Sequence, residues 1–217
     1  MGHPPRIYEP GVSMHVIRRG NNRGAIVRDD ADRRYWVAMI RDAASACQVD
    51  VHGYTLMTTH YHFIATPRAA AALRQMMKAL GEDYVRYYND RHDRIGTLWA
   101  GRYRALPIRD EVYWLTCLRY VEQNPWRAKM VGTPEAYRWS SCRFHMLGEP
   151  SDWLVPHPVY LALGAMPDAR RAAYRAICLE PLSDQQLDRQ RKPSERRDAR
   201  HQVSDTGQRS GEAEDKA

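Results

Sequence analysis

Two histidines separated by one residue lie in a short run of this chain, Met57-Thr58-Thr59-His60-Tyr61-His62-Phe63-Ile64. The run has the composition of a β-strand, in which alternate side chains point to the same face, roughly 7 Å apart along the backbone. On such a strand, His60 and His62 could bind one divalent metal ion together. An isolated pair of this kind is more often part of the core or the surface, so the interpretation needs support from other residues.

Tyr120 and Asn124 provide that support, because they stand four residues apart in a segment of helical character. On a helix such residues share a face, about 6 Å apart. Two imidazoles and a carboxamide oxygen suit Mg²⁺ or Mn²⁺, with positions left open for phosphate oxygens. A structural zinc site would need a fourth protein ligand, and no cysteine lies near the histidine pair in the sequence.

Tyr120 is the candidate nucleophile among the 13 tyrosines of the chain. A phenol is a weak nucleophile at neutral pH, but a metal that polarises a phosphate and stabilises the leaving oxygen removes the need for a strong base. Attack on a DNA strand would give a 5′-phosphotyrosine and a free 3′-OH. A second 3′ end could then reverse the reaction without ATP, so the residues predict strand cleavage and transfer.

The elements that must position these residues follow the order β-α-β-β-α-β-α. Hydrophobic periodicity and turn signals predict strands at residues 14–17, 49–57, 60–66 and 98–108, and helices at residues 29–48, 70–89 and 110–124. The first six elements match the ferredoxin-like split βαβ arrangement, an α+β fold with a four-stranded antiparallel sheet and two helices on one face. The last is an added catalytic helix, which would carry Tyr120 across the sheet towards the histidines and end or kink at Pro125.

The charge of the chain is its other strong feature, with a formal net charge of +7 and a pI near 9.4. A basic body favours a polyanion, and nucleic acid is the first candidate, although simple solubility is an alternative explanation. The four cysteines contain no CxxC motif and predict neither a zinc knuckle nor a disulfide framework. No apolar run approaches 18 residues, so we expect a cytoplasmic protein without a membrane partner.

The candidate DNA contacts fall in two segments that are rich in arginine. One is the loop that follows the first predicted strand, and the other is the fourth predicted strand, where two arginines alternate with Tyr103. Guanidinium groups and short amides can grip phosphates or read bases, although a solvated turn would have the same composition. The candidates are Arg18, Arg19, Asn21, Asn22 and Arg23 in the loop, and Arg102 and Arg104 in the strand.

Several motifs occur in a fixed order between residues 10 and 145 and extend more loosely to about residue 180. They are His15-Val16 with Arg19-Gly20-Asn21-Asn22-Arg23, the His60 and His62 pair, Gly96-Thr97-Leu98-Trp99 with Gly101-Arg102-Tyr103, Arg119-Tyr120-Val121-Glu122-Gln123-Asn124-Pro125, and Trp139-Ser140-Ser141. Together they resemble the IS200-like single-tyrosine transposases of the His-hydrophobic-His class, and most closely the REP-associated tyrosine transposases. One departure is Thr58-Thr59, where relatives usually carry Pro-Asn, and this change could alter metal affinity.

The resemblance implies a role for each candidate residue. His60 and His62 would be the histidine ligands of the metal, Asn124 would complete the site, and Tyr120 would be the nucleophile. The implied substrates are single-stranded DNA hairpins formed by palindromic repeats, which the family nicks and rejoins. We expect the protein to act as a monomer or a homodimer.

The predicted organisation is a leader at residues 1–10, an IS200-like transposase domain at residues 11–148, a C-terminal helical extension at residues 149–182 and a disordered polar tail at residues 183–217. Two other functions stay open on the sequence alone. One is a non-catalytic hairpin-binding protein derived from a transposase. The other is a metallonuclease that uses the histidines and a water molecule, and it would tolerate the change Tyr120→Phe.

Overall fold

A computed structural model describes residues 7–190 of the chain, and within them four strands form one sheet. The strands are β1 (Ser13–Arg19), β2 (Val49–Leu56), β3 (His60–Pro67) and β4 (Arg104–Ile108). The helices are α1 (Asp30–Cys47), α2 (Ala72–Arg91), α3 (Glu111–Arg127), α4 (Cys142–Leu147), α5 (Pro158–Leu161), α6 (Pro167–Leu179) and α7 (Asp184–Gln190). None of the described helices is long and apolar enough to cross a membrane.

The sheet has the strand order β2-β3-β1-β4, and every neighbouring pair is antiparallel. This is the ferredoxin-like order, so the predicted α+β fold is confirmed. Thr58 and Thr59 form the tight loop between β2 and β3, closed by a hydrogen bond from the Met57 amide to the His60 carbonyl. The loop therefore fixes where β3 begins, at His60.

The two faces of the sheet carry separate hydrophobic cores. On one face, Trp36 of α1 and Leu73 of α2 pack against β-strand residues that include Tyr61, all of them buried. On the other face, Trp114 and Leu118 of α3 belong to a second core, which extends to α4, α5 and α6. Side chains alternate along a strand, so successive strand residues face opposite cores.

The fourth strand is shorter than the sequence predicts. It begins at Arg104 rather than at residue 98, because Gly96 and Gly101 have φ values of +92° and +133° and interrupt the extended chain. Leu98 instead accepts a hydrogen bond from the Asn21 amide at 2.9 Å. The segment from 98 to 103 is therefore a loop against the end of β1, and Arg102 lies outside the strand.

Helix α3 also differs from the prediction, because it continues through Pro125 to Arg127. Proline has no amide hydrogen, so the carbonyl of Val121 loses its normal partner four residues later. The hydroxyl of Thr55 in β2 donates to this buried carbonyl at 2.7 Å. The sheet thus satisfies the group that the proline leaves without a donor, and the helix does not need to end.

Helix α3 lies close to the sheet because of a glycine. A β-carbon at Gly53 of β2 would stand 2.5 Å from Cδ1 of Leu118 and 3.1 Å from Oγ of Ser141. These separations are shorter than normal van der Waals contacts, so only glycine permits this packing. The close approach places α3 directly over β2 and β3.

The chain divides into two compact units, Met1–Glu180 and Pro181–Ala217. Disorder is predicted from residue 183 onward, but the second unit contains helix α7. Ser183 and Gln186 explain it, because Ser183 Oγ accepts from the Gln186 amide while Gln186 Oε1 accepts from the Ser183 amide, which is a capping box. The rest of the predicted tail, 191–217, and residues 1–6 of the predicted leader lie outside the described residues.

Candidate active site

The histidines lie on the face of the sheet that α3 covers. In the pairing of β1 with β3, Ile17 stands opposite His62 and Arg19 opposite His60. Directly opposed residues point to the same face, as do residues two apart on one strand. His15, His60 and His62 therefore share one face, while the intervening Tyr61 is fully buried on the other, against Trp36.

Tyr120 of α3 faces these imidazoles. Its ring centroid lies 5.5 Å from that of His62 and 5.8 Å from that of His15, with an edge-on arrangement in both cases. The centroids of His60 and His62 are 5.1 Å apart. The structure thus brings the predicted nucleophile and the predicted metal pair into one cluster, although they are about 60 residues apart in sequence.

His62 is the most enclosed member of the cluster, with 4% of its surface exposed. Burial, followed by the nearby His60 and His15, lowers the pKa of His62 well below its ordinary value. The imidazole is therefore neutral at physiological pH. Neutral imidazole is the form that binds a metal ion.

The second ring nitrogens of the pair indicate how a metal ion would be held. Nδ1 of His62 lies 3.0 Å from Nε2 of His15, and Nδ1 of His60 lies 3.1 Å from Oγ1 of Thr59. A ligating histidine normally uses its other nitrogen in this way. The contacts at Nδ1 make Nε2 the candidate ligand atom in both histidines, so these residues fit a divalent cation.

Asn124 and Arg127 complete the face of α3 that carries Tyr120, since residues at i, i+4 and i+7 of a helix align. The side-chain amide nitrogen of Asn124 donates to the backbone carbonyl of Tyr120, one turn earlier in the helix, at 3.4 Å. The guanidinium carbon of Arg127 lies 5.0 Å from the centre of the Tyr120 ring. Sequence reasoning missed Arg127, although its spacing of seven from Tyr120 was a usable signal.

The opposite side of α3 is fixed by Glu122, which a helix rotates about 200° away from Tyr120. Its buried carboxylate accepts hydrogen bonds from the Ser141 hydroxyl at 2.5 Å, from Nδ1 of His145 at 2.7 Å and from the Tyr174 hydroxyl at 2.7 Å. Burial raises the pKa of Tyr174 well above its usual value, so its hydroxyl remains a donor. These bonds tie the helix that carries Tyr120 to α4 and α6.

The motif Trp139-Ser140-Ser141 is bound to strand β2 by backbone hydrogen bonds. The Leu56 amide donates to the Trp139 carbonyl and the Ser141 amide donates to the Tyr54 carbonyl, both at 2.9 Å. The motif therefore extends along the free edge of β2. It places the Ser141 hydroxyl against Glu122.

A second group of possible metal ligands lies beside Glu122. Within residues 7–190, the one set of three His, Cys, Asp or Glu side chains with ligand atoms inside 4.8 Å of one another is Glu122, Cys142 and Cys178. All three are fully buried, and a hydrogen bond with Cys178 together with burial raises the pKa of the Cys142 thiol. This group could hold a metal, but it has no open side for a substrate and faces away from Tyr120.

The predicted DNA-contacting residues lie in three different environments in the structure. Arg18 points to the other face of the sheet, where its guanidinium lies 4.4 Å from the Trp99 ring centre and against Gly81 of α2. Arg19 and Arg104 share the histidine face, since they pair with His60 and Ile17. Asn21, Asn22 and Arg23, together with Arg102, are exposed.

The loop from 20 to 24 lies at the same end of the sheet as His60. The Gly20 amide donates to the Thr59 carbonyl and the Ile26 amide donates to the Thr58 carbonyl, both at 2.8 Å. Asn22 and Arg23 have left-handed backbone conformations, with φ values of 49° and 56°. The loop is thus a fixed turn whose exposed amides and guanidinium stand beside the start of β3.

Comparison with solved structures shows the fold. A REP-associated tyrosine transposase bound to a REP hairpin is 16% identical, with a TM-score of 0.53 over 71% of this chain and 92% of that one. A candidate transposase from Deinococcus radiodurans R1 is 18% identical, with a TM-score of 0.38 over 51% of this chain and 89% of that one. The tRNA(His) guanylyltransferase of Saccharomyces cerevisiae is 11% identical, with a TM-score of 0.42 over 84% of each chain.

Comparison with protein families gives the stronger result, whereas no curated protein matches the chain. The family described as "Transposase IS200 like" matches residues 9–124, which is more than half of the 217 residues. The matched region contains β1 to β4, the histidine pair, Tyr120 and Asn124. The resemblance that the motifs indicate is therefore confirmed, and the chain belongs to the IS200-like transposase family, with the fold of a REP-associated tyrosine transposase.

Proposed function

We propose that this protein nicks and rejoins single-stranded DNA through a covalent bond to Tyr120. The observation that carries the proposal is the placement of the Tyr120 ring 5.5 Å from the ring of His62, across a face that also holds His60. A metal pair and a phenol that face one another are the groups that such a reaction needs. Their elements are fixed by the sheet on one side and by Glu122 on the other.

The proposed reaction is an in-line displacement at phosphorus. The Tyr120 oxygen attacks as the phenol loses its proton, and the bond from phosphorus to the 3′ oxygen breaks. The electron pair leaves with that oxygen, which takes up a proton and becomes a 3′-OH, while the phosphate remains on Tyr120 as a 5′-phosphotyrosine. A Mg²⁺ or Mn²⁺ ion, held by His60, His62 and Asn124, would neutralise charge on the phosphate and on the departing oxygen.

Arg127 assists the nucleophile in this scheme. The guanidinium above the ring would stabilise the negative charge that develops on the phenol oxygen in the transition state. His62 stays neutral and keeps its ligand nitrogen unprotonated. The chain thus supplies the charge and the positioning, whereas the proton acceptor for the phenol is solvent or the DNA itself.

The proposed substrates are hairpins of palindromic repeats, bound by a monomer or a homodimer. The solved relative of the same fold is bound to a REP hairpin, and this chain carries a net charge of +7. The exposed loop beside His60 and the arginines of the histidine face would contact the phosphates. We assign this role to Arg19, Asn21, Asn22, Arg23, Arg102 and Arg104, and a packing role to Arg18.

The test uses the purified protein and labelled single-stranded hairpins from repeats that flank its gene, with Mg²⁺ or Mn²⁺ added. A denaturing gel should show a protein–DNA adduct for the wild type and none for Tyr120→Phe. The matched control is Tyr113→Phe, which removes a hydroxyl from the same face of the same helix two turns earlier and should form the adduct normally. His60→Ala and His62→Ala should abolish it at any metal concentration that leaves the fold intact.

Two results would overturn the proposal. Cleavage that persists in Tyr120→Phe would show that a water molecule is the nucleophile. Hairpin binding without an adduct, across both metals and several repeats, would make the protein a hairpin-binding module.

A further inference from the structure

His15 is a third imidazole at the candidate site, and the metal set described above does not use it. It lies in β1, with 1% of its surface exposed, and its ring stacks on that of His62 with centroids 5.2 Å apart. Nε2 of His15 lies 3.0 Å from Nδ1 of His62, inside the core and away from water. The ring of Tyr120 meets that of His15 edge-on at 5.8 Å. His15 therefore touches both a candidate ligand and the candidate nucleophile.

The hydrogen bond between these two histidines can have either direction, and the two directions have opposite consequences. If Nδ1 of His62 donates to His15, the proton is on Nδ1, and Nε2 of His62 keeps a lone pair for a metal. If His15 donates instead, a neutral His62 carries its proton on Nε2 and cannot bind a metal through that atom. Only the first direction, with His15 as acceptor, is compatible with a ligand at position 62.

Direct ligation by His15 is the less favourable interpretation. Within residues 7–190, His15, His60 and His62 do not form a set in which one ligand atom of each lies within 4.8 Å of both others, whereas Glu122, Cys142 and Cys178 do. Nε2 of His15 is already engaged by its contact with Nδ1 of His62 at 3.0 Å. A residue that bonds to the second nitrogen of a ligand acts through that ligand, by fixing its tautomer and the plane of its ring.

We propose that His15 is the positioning residue of the metal site, which accepts a hydrogen bond from Nδ1 of His62 and so commits Nε2 of His62 to the cation. This inference rests on the proposed function, because it assigns His62 as a ligand. It adds a residue of β1 to a site otherwise built from β3 and α3. It also gives a chemical reason for a histidine in the middle of a buried strand.

The first test measures Mn²⁺ affinity in the absence of DNA, by electron paramagnetic resonance of the unbound ion. His15→Ala should weaken binding by about 10–100-fold, the usual effect of losing such a partner. His15→Gln should recover most of the affinity, because Oε1 of glutamine can accept the same bond at the same reach. His15→Phe keeps an aromatic ring without an acceptor, and replaces the alanine variant if that one does not fold.

The matched control is His52→Gln, on the neighbouring strand β2. His52 is also buried, and its nitrogens lie 2.8 Å from the Val155 carbonyl and 2.8 Å from Oγ1 of Thr66. The substitution removes a buried, hydrogen-bonded imidazole without touching the cluster. It should lower the free energy of unfolding but leave the Mn²⁺ affinity unchanged. This control separates an effect of His15 on the metal site from the effect of a general loss of stability.

The second test is the tautomer of His62, read from its ¹⁵N chemical shifts in the metal-free protein. The proposal expects the proton on Nδ1 in the wild type and in His15→Gln, and a mixture of tautomers in His15→Ala or His15→Phe. Folded variants with wild-type Mn²⁺ affinity and an unchanged tautomer would overturn it. Three coordinated nitrogens in the Mn²⁺ spectrum of the wild type, with the glutamine variant as weak as the alanine variant, would make His15 a ligand and overturn it as well.

The two proposals fail in different ways. If the wild type binds no Mn²⁺ or Mg²⁺, the metal site of the proposed function is refuted. The positioning role of His15 falls with the metal site in that case. If the wild type binds metal but His62 carries its proton on Nε2, or if every His15 variant binds Mn²⁺ as tightly as the wild type, only the role of His15 is refuted.

Discussion

At Tyr120, the surroundings are cationic and aromatic. The rings of His62 and His15 lie to one side, and the guanidinium of Arg127 lies 5.0 Å from the ring centre. A positive charge at this distance from a phenol would stabilise the charge that develops in the proposed attack. We therefore expect Arg127, two helical turns along α3, to raise the reactivity of Tyr120.

We expect Arg127→Gln to slow adduct formation by roughly tenfold, or about 1.4 kcal/mol, because the guanidinium stabilises the charge that develops on the phenol oxygen in the transition state more than it stabilises the neutral ring. Arg127→Lys should retain part of the rate. The measurement is single-turnover adduct formation at saturating Mn²⁺. Arg119→Gln is the matched control, since this arginine of the same helix donates to the Glu180 carbonyl and lies off the Tyr120 face.

An unchanged rate in Arg127→Gln would show that the guanidinium only packs on the ring. A weaker hairpin affinity at an unchanged rate would assign it to DNA binding.

At the level of elements, α3 is the part of the fold on which the site depends most. Thr55 donates to the Val121 carbonyl at 2.7 Å, and Pro125 is the reason that this carbonyl needs a donor. A buried carbonyl without a partner costs about 1–3 kcal/mol. The pair Thr55 and Pro125 should therefore be thermodynamically coupled, although the two side chains act on a third residue.

We expect Thr55→Val to lower the free energy of unfolding by about 1–3 kcal/mol in the wild-type background. In Pro125→Ala, the restored amide can donate to Val121, so the same change should cost markedly less. Urea unfolding of the two single variants and the double variant measures the coupling. If the changes in the free energy of unfolding of the two single variants add up to that of the double variant, the hydroxyl of Thr55 does not stabilise the protein through the Val121 carbonyl.

The sequence predicts that helix α3 and strand β4 exist, but it predicts their ends poorly. The histidine pair and Tyr120 follow from strand and helix periodicity, which are local properties, and the structure brings them together. The end of α3 at Pro125 was wrong, because the donor that rescues Val121 comes from Thr55, 66 residues away. The start of β4 was wrong because two glycines of positive φ lie in a stretch that reads as a strand.

The partners of Glu122 show a further limit. A buried carboxylate on a helix is visible in the sequence only as one more acidic residue. Its donors Ser141, His145 and Tyr174 come from three separate segments, and no periodicity connects them. The capping box at Ser183 and Gln186 is different, because its spacing is readable in the sequence; the prediction of disorder from residue 183 rested on composition alone and missed helix α7.

At the scale of the whole molecule, buried histidines make the fold sensitive to acid. Burial, then the neighbouring His52, lowers the pKa of His157 to about 4, and burial also lowers the pKa of His52 and of His62. The unfolded chain takes up protons near the ordinary pKa of 6.5, whereas the folded chain resists them until lower pH. The stability from these groups is complete above pH 6.5 and is lost as the pH falls towards 4.

We expect the urea midpoint of unfolding to be lower at pH 5 than at pH 7. His157→Asn should flatten this dependence, because asparagine cannot take up the proton but can still accept the hydrogen bond that His157 Nδ1 accepts from the Val159 amide. The comparison is made between the two proteins at both pH values. Equal slopes for wild type and variant would show that His157 is not one of the groups responsible.

The bonds of Glu122 also have a consequence for the order in which the protein is made. Tyr174 is 52 residues after Glu122, and a ribosome that adds about 5–20 residues per second needs roughly 3–10 s to cover that distance. During this interval the four strands are already synthesised, while the donors to the Glu122 carboxylate appear one after another, first Ser141, then His145 and last Tyr174. The nascent chain therefore contains its histidine strand before it contains all the donors that fix the tyrosine helix, so the face of α3 that carries Tyr120 is the last part of the proposed site to be held in place.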